Sequence, residues 1–208
     1  MSNIFKRNIK IVAMFMFHEW YPDLWRKCFS ELSTLVDDMY IRIDSSKTPP
    51  EVIDELQNKT ECSTHIEIVD HNFNAVVWRE GLLRMLDPVK PDIVIALDSD
   101  EIFDTGIIQE IQDFYQSDKR AMMCSFNPCI GNDGRKLPIY PSKPHMKIFK
   151  WEPDLSFVPY MGFAQVTQYA NKRELVWKAK TKINHYCMWT KEMEMEKRVE
   201  VKKRYASL

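Results

Sequence analysis

Apolar residues along this chain recur with two different periods, and the two alternate. Ile9 to Phe17, IKIVAMFMF, is nearly unbroken apolar sequence and predicts a buried strand. PDLWRKCFSELSTL follows, with Pro22 near the start and Leu24, Cys28 and Leu32 four residues apart, the spacing of one helix face. VDDMYIRID predicts a second strand ending at Asp44, and TPPEVIDELQ a second helix, with Thr48 as its expected cap and Glu51 at capping-box spacing. THIEIVD alternates as a short strand. Phe73 to Leu86 then reads as a helix with Ala75, Trp78, Leu82 and Met85 on one stripe, which makes Trp78 a core residue.

PDIVIAL is a continuous apolar run, as expected of a central strand covered on both faces. DTGIIQEIQDFYQ predicts a helix capped by Asp104 or Thr105, and AMMCSF another strand. Four or five strand–helix units in succession imply a mostly parallel central sheet flanked by helices. After Asn127 the pattern changes. NPCIGNDGRKLPIYPSKPH is rich in Pro and Gly and predicts a hairpin or loop, with a lid over the site expected across 128–144. HMKIFKW, FAQVTQY and INHYCMW predict shorter strands in a small antiparallel extension, and TKEMEMEKRVEVKKRY a charged C-terminal helix or tail over 191–208. Residues 1–190 read as one domain, divided near 126/127.

Composition narrows the class. The chain has 208 residues, 45% of them hydrophobic, and a formal net charge of −1, which gives no general attraction to nucleic acid or acidic membranes. The five cysteines are odd in number and scattered, without a C-x-x-C pair, so reduced thiols and a cytoplasmic protein are expected. No apolar stretch reaches the roughly 20 residues of a membrane span. The run Ile11 to Phe17 is short and lacks a small-residue cleavage site, which favours a first strand over a signal peptide.

Candidate chemistry is concentrated in IVIALDSDEIF, Ile93 to Phe103, where a buried strand runs into three carboxylates in four residues. Ligands of open parallel sheets bind beyond the carboxyl ends of the strands. On extended backbone, Asp98 and Asp100 would share a side about 7 Å apart, able to hold one Mn²⁺ or Mg²⁺ beside substrate phosphates. The alternative is that these acids cap the following helix.

The same residues carry a resemblance. PDIVIALDSDEIF resembles the D-x-D segment of GT-A glycosyltransferases, particularly family 2-like members. The wider order is similar as well: an Asp closing the second strand in RIDSSKTP, the W-R-x-G helix before the D-x-D strand, and a late INHY. The resemblance covers residues 9 to 190 in outline. It implies a GT-A, Rossmann-like α/β fold and a metal-dependent glycosyltransferase that moves a sugar from a nucleoside-diphosphate sugar to an acceptor hydroxyl, with inversion.

The resemblance also implies roles. Phe17, His18, Asp44, Arg79 and Asp98 would contact the nucleotide sugar, Asp44 through the base and Arg79 through the diphosphate or base edge. Asp100, Asp98 and His185 would hold Mn²⁺ or Mg²⁺, although a core histidine is the alternative for His185, as a surface arginine is for Arg79. The catalytic base is not assigned by the resemblance, because Tyr160, Met161 and Gly162 stand where relatives often carry an acid; Glu101, Asp154 and Glu152 are the candidates. A non-catalytic nucleotide-binding protein would keep the sheet and lose the base. The acceptor is open among a glycan, a protein, a lipid-linked precursor and a modified nucleobase in DNA. For DNA, Lys143, Lys147 and KRVEVKKRY would have to supply a basic groove.

Overall fold

The computed structural model describes residues 9–17, 22–58, 62–70, 75–131, 136–137, 144–160, 163–166, 169 and 172–187. His18, much of the expected lid (132–135 and 138–143) and residues 188–208 with the charged tail lie outside the described residues. The first half follows the strand–helix alternation: β1 (Ile11–Phe17), α1 (Pro22–Ser33), β2 (Asp38–Asp44), α2 (Pro50–Asn58), β3 (Ser63–Val69), α3 (Ala75–Leu86), β4 (Ile93–Asp98), β5 (Glu101–Phe103), α4 (Ile107–Gln116) and β6 (Ala121–Phe126). The second half is β7 (Cys129–Gly131), β8 (Lys136–Leu137), β9 (His145–Lys150), β10 (Phe157–Tyr160), β11 (Phe163–Val166), a 3-10 turn at Arg173–Leu175 and β12 (Val176–Cys187).

Among the described residues the main sheet runs in the order β3-β2-β1-β4-β9-β6-β12-β7-β8, with β5 paired to β12. Strands β3, β2, β1 and β4 are parallel neighbours, and β6 pairs parallel with β12. β9 is antiparallel to both β4 and β6. The antiparallel segment HMKIFK is thus inserted into the middle of the sheet, a place the expected peripheral extension did not foresee. Five of its six residues are buried, because both faces are covered there: Ile148 packs into one core cluster, Met146 and Phe149 into the other. β10 and β11 form a separate antiparallel pair, and β7 with β8 a short hairpin seated on the end of β12. Part of the expected lid is therefore sheet.

Alternation along β1 divides the core in two. Ile11, Ala13, Phe15 and Phe17 face Trp25, Phe29 and Leu32 of α1, together with residues of α2 and α4. Val12, Met14 and Met16 face Trp78, Leu82, Leu83 and Leu86 of α3. An apolar strand without polar alternation is what two covered faces require, and each large side chain so buried contributes about 1.5–3 kcal/mol. Among the described residues no helix is long and apolar enough to cross a membrane.

Two expected caps are not formed. α4 starts after Gly106, whose φ of 97° suits glycine, and no side chain caps it. α2 starts at Pro50, whose missing N–H would have no helical partner, and the Thr48 hydroxyl is buried without a hydrogen-bond partner. Gly81 of α3 has a steric purpose, since a Cβ there would lie 2.1 Å from Arg42 Nη1. Arg42 crosses the helix at that point to reach the Val77 carbonyl at 3.0 Å and Glu67 at 2.7 Å.

Candidate active site

β4 ends at Asp98, Ser99 and Asp100 form a turn, and β5 begins at Glu101. The turn breaks the parity of an extended strand, so Asp98 and Asp100 do not act as one pair. The physical reason lies in the backbone: Glu101 folds back and its Oε2 accepts the Asp98 N–H at 3.0 Å. None of the three acids caps α4, which begins six residues beyond Glu101 and has Gly106 as its cap.

Asp98 is held from two sides. Arg79 Nη2 on α3 donates to Oδ1 at 2.6 Å, and Lys147 Nζ on β9 donates to Oδ2 at 3.0 Å. Lys147 also donates to Glu101 Oε2 at 2.7 Å, and both Lys147 and Glu101 are buried. Burial alone would raise the Asp98 carboxyl, but the charges of Lys147 and Arg79 outweigh it and hold Asp98 well below the usual carboxylate range. Glu101 shifts the other way, because burial and the charges of Asp98 and Asp100 outweigh Lys147.

Asp100 turns to β12. Its carbonyl accepts the Tyr186 N–H at 2.8 Å, and its Oδ2 lies 2.9 Å from His185 Nε2. The antiparallel β5–β12 register, His185 opposite Glu101, brings this histidine to the acids. Burial pulls the His185 imidazole down, yet the hydrogen bond and charge of Asp100 lift it to about 9. His185 is 41% exposed at its side chain and paired with a carboxylate, so it is not a core histidine. A metal ion there would compete with the imidazole proton.

Asp44, at the end of β2, is 1% exposed. Its Oδ1 accepts Ser46 N–H at 3.0 Å and Ser46 Oγ–H at 2.5 Å, while Oδ2 is buried with no hydrogen-bond partner among the described residues. Arg79 is buried, not a surface arginine, and its Nη1 also lacks a partner. Orphaned buried polar atoms are rare, because each costs about 1–3 kcal/mol.

Three of the expected residues have surroundings of their own. Phe17 is fully buried and packs edge-to-face on Trp25 at 5.3 Å, so its ring is core. Glu101 is buried, and its Oε2 accepts from Lys147 at 2.7 Å. Asp154 lies beyond β9, whose Lys150 pairs with Ile93 at the amino end of β4, about 17 Å along the strand from Asp98. It occupies a turn with φ of 65°. Glu152 is at that same end, accepting from Tyr169 OH at 2.6 Å.

Lys147 is the site residue that sequence reading placed elsewhere, in a basic groove for DNA. Its burial between two carboxylates excludes that use, and Lys143 lies outside the described residues. The available signal was a lysine inside an apolar strand, a residue type almost never buried unless paired.

A divalent ion implied by the GT-A resemblance finds only part of a shell here. Among the described residues no three His, Cys, Asp or Glu side chains converge as a metal site. Asp98 has both oxygens engaged. Asp100 and His185 remain, an oxygen and a nitrogen donor, and two protein ligands suffice for an ion that takes its other ligands from water and phosphates. The donor set fits such a site.

No protein-family model matches the chain, and no curated protein matches its sequence. Solved structures do resemble it. S. aureus TarS 1-349 in complex with UDP-GlcNAc superposes with a TM-score of 0.55 at 13% identity, over 89% of this chain and 61% of that one. The same fragment with UDP gives 0.52 at 12% identity, over 90% and 63%. A putative glucose-1-phosphate thymidylyltransferase from Bacillus anthracis gives 0.51 at 10% identity, over 85% of this chain and 89% of that chain. The chain thus spans about three fifths of the TarS fragment. These likenesses show the fold: a Rossmann-like α/β architecture of the GT-A and nucleotidyltransferase type.

Proposed function

We propose that this chain is a metal-dependent glycosyltransferase that uses a nucleoside-diphosphate sugar. The observation that carries the reading is the meeting of Asp100 and His185 at 2.9 Å, at the carboxyl end of the sheet and on the turn that follows the Arg79–Asp98 pair. The likeness to a fold solved with UDP-GlcNAc and UDP supports it. In this reading Asp44 Oδ2 accepts a base N–H, and Arg79 Nη1 donates to the diphosphate or the base edge. Each would complete an atom now without a partner. Asp98, ionised and clamped, orients Arg79; so weakly basic a carboxylate is a poor proton acceptor. Asp100 and His185 would hold Mn²⁺ or Mg²⁺, which neutralises charge on a departing diphosphate.

A second reading, nucleotidyl transfer to a sugar phosphate, is favoured by the overlap with 89% of the length of the thymidylyltransferase. One set of assays separates them. Purified protein with MnCl₂ is given a panel of nucleoside-diphosphate sugars, and release of nucleoside diphosphate is followed. Asp100→Ala is expected to lower that release by about 10²–10³-fold without loss of fold. Pyrophosphate release from nucleoside triphosphate and sugar 1-phosphate would replace this reading with the second. Nucleotide binding with neither turnover, across a full donor and acceptor panel, would leave a non-catalytic binder.

A further inference from the structure

Lys147 occupies an irregularity of the sheet. β6 and β9 pair Met122 with Ile148 and then Met123 with Met146, so Lys147 is the extra residue of a β-bulge. β4 pairs with β9 only as far as Ile95 opposite Ile148, leaving the end of β4 open to the bulged side chain. Bulges re-aim a side chain out of strand alternation and are frequent beside active sites. Here the bulge sends an ammonium group into the space between Asp98 and Glu101, at 3.0 and 2.7 Å, with the Phe126 ring 5.8 Å away.

We propose that Lys147 is the resident cation of the first half of the D-S-D segment: it holds Asp98 and Glu101 as a closed pair and confines any divalent ion to Asp100 and His185. The charge balance supports this, since two carboxylates, Asp98 and Glu101, meet two cations, Arg79 and Lys147. No surplus negative charge is left there for a second cation, and a tethered ammonium cannot diffuse away. Lys147 is a positioning residue, acting through Asp98. The part that concerns Asp100 and His185 rests on the function proposed above; the part that concerns Lys147 does not.

The test titrates Mn²⁺ alone, without nucleotide, and reads free Mn²⁺ by electron paramagnetic resonance. Lys147→Met removes the charge, frees Asp98 Oδ2 and is expected to bind Mn²⁺ about tenfold or more tightly than the native chain. Adding Asp98→Asn should abolish the gain. A lysine that only fills space would lower the melting temperature and leave metal affinity where it was, so unchanged or weaker Mn²⁺ binding by Lys147→Met overturns the proposal. Lys147→Gln is read the same way should the methionine variant not fold. If the native chain binds no Mn²⁺, the metal role of Asp100 and His185 fails, while a gain in Lys147→Met still upholds the role of Lys147.

Discussion

The two ends of the central sheet use the same residue types to opposite effect. At the amino end, Asp92 Oδ2 accepts the Lys10 N–H and Asp37 Oδ2 accepts the Ile11 N–H, each at 2.7 Å. Glu152 accepts from Tyr169 and pairs with Arg120 at 3.4 Å. These acids close backbone and side-chain donors. At the carboxyl end, Asp98 and Glu101 face side-chain cations, and Asp44 Oδ2, Thr48 Oγ1 and Arg79 Nη1 are buried without partners among the described residues. The difference separates acids that bind nearby backbone and side-chain donors from acids whose charge is met by the buried cations Arg79 and Lys147. Carboxylates alone would not have distinguished them; the accounting of their partners does.

The sharpest way to break the comparison is to make a carboxyl-end acid behave as pure structure. Glu101→Ala should destabilise the protein by about 3–5 kcal/mol, because it strips one partner from a buried lysine and leaves the Asp98 N–H unsatisfied. Urea unfolding reads this directly. Full stability with lost turnover would instead return Glu101 to the reacting centre.

Acid should expose a second cost at the same end. Burial, together with the charges of Lys147, Arg79 and His185, pushes His145 down to about 4, against the opposing pull of Asp98. Above pH 6.5 the imidazole is neutral whether the chain is folded or not, so it adds no pH dependence. As pH falls from about 6.5 to about 4 the unfolded chain takes up a proton that the native one refuses, and stability drops by about 3 kcal/mol from this group. The difference between native and His145→Phe unfolding free energies should carry that slope. Parallel pH profiles would place His145 in contact with water.

The smallest effects set the ends directly against each other. Asp37→Ala should cost about 1–2 kcal/mol of stability through the orphaned Ile11 N–H, with nucleotide affinity unchanged. Asp44→Asn should do the reverse, weakening nucleoside-diphosphate binding by about tenfold in a calorimetric titration at little cost in stability. Equal affinity in the native chain and Asp44→Asn would exclude Asp44 from the pocket.

Much of the fold was legible because hydrophobic period reports burial. The doubly covered strands β1 and β4 and the Trp78–Leu82 stripe of α3 read correctly for that reason. The caps of α2 and α4 did not: Asp104 has the right chemistry for capping but accepts instead from Asn127 at 2.8 Å and from Asn184, and α2 opens on Pro50 with the Thr48 hydroxyl making no hydrogen bond to its first turn. Within the site, Asp44, Arg79, Asp98, Asp100 and His185 all come to the carboxyl end, as their positions at strand ends and before the D-x-D strand suggest. Phe17 shows the limit of that reading, because strand-end position does not say which way a side chain points, and its ring turns into the core.

The sequence by itself determined the parallel α/β class and the strand end where the acids gather, because apolar runs and their termini are local properties of the chain. Tertiary structure alone decided how those acids are divided. A turn separates Asp98 from Asp100, an antiparallel strand arriving 49 residues later delivers Lys147 to one, and β12 delivers His185 to the other. Those partners are distant in sequence, and no local pattern records which charge will neutralise which.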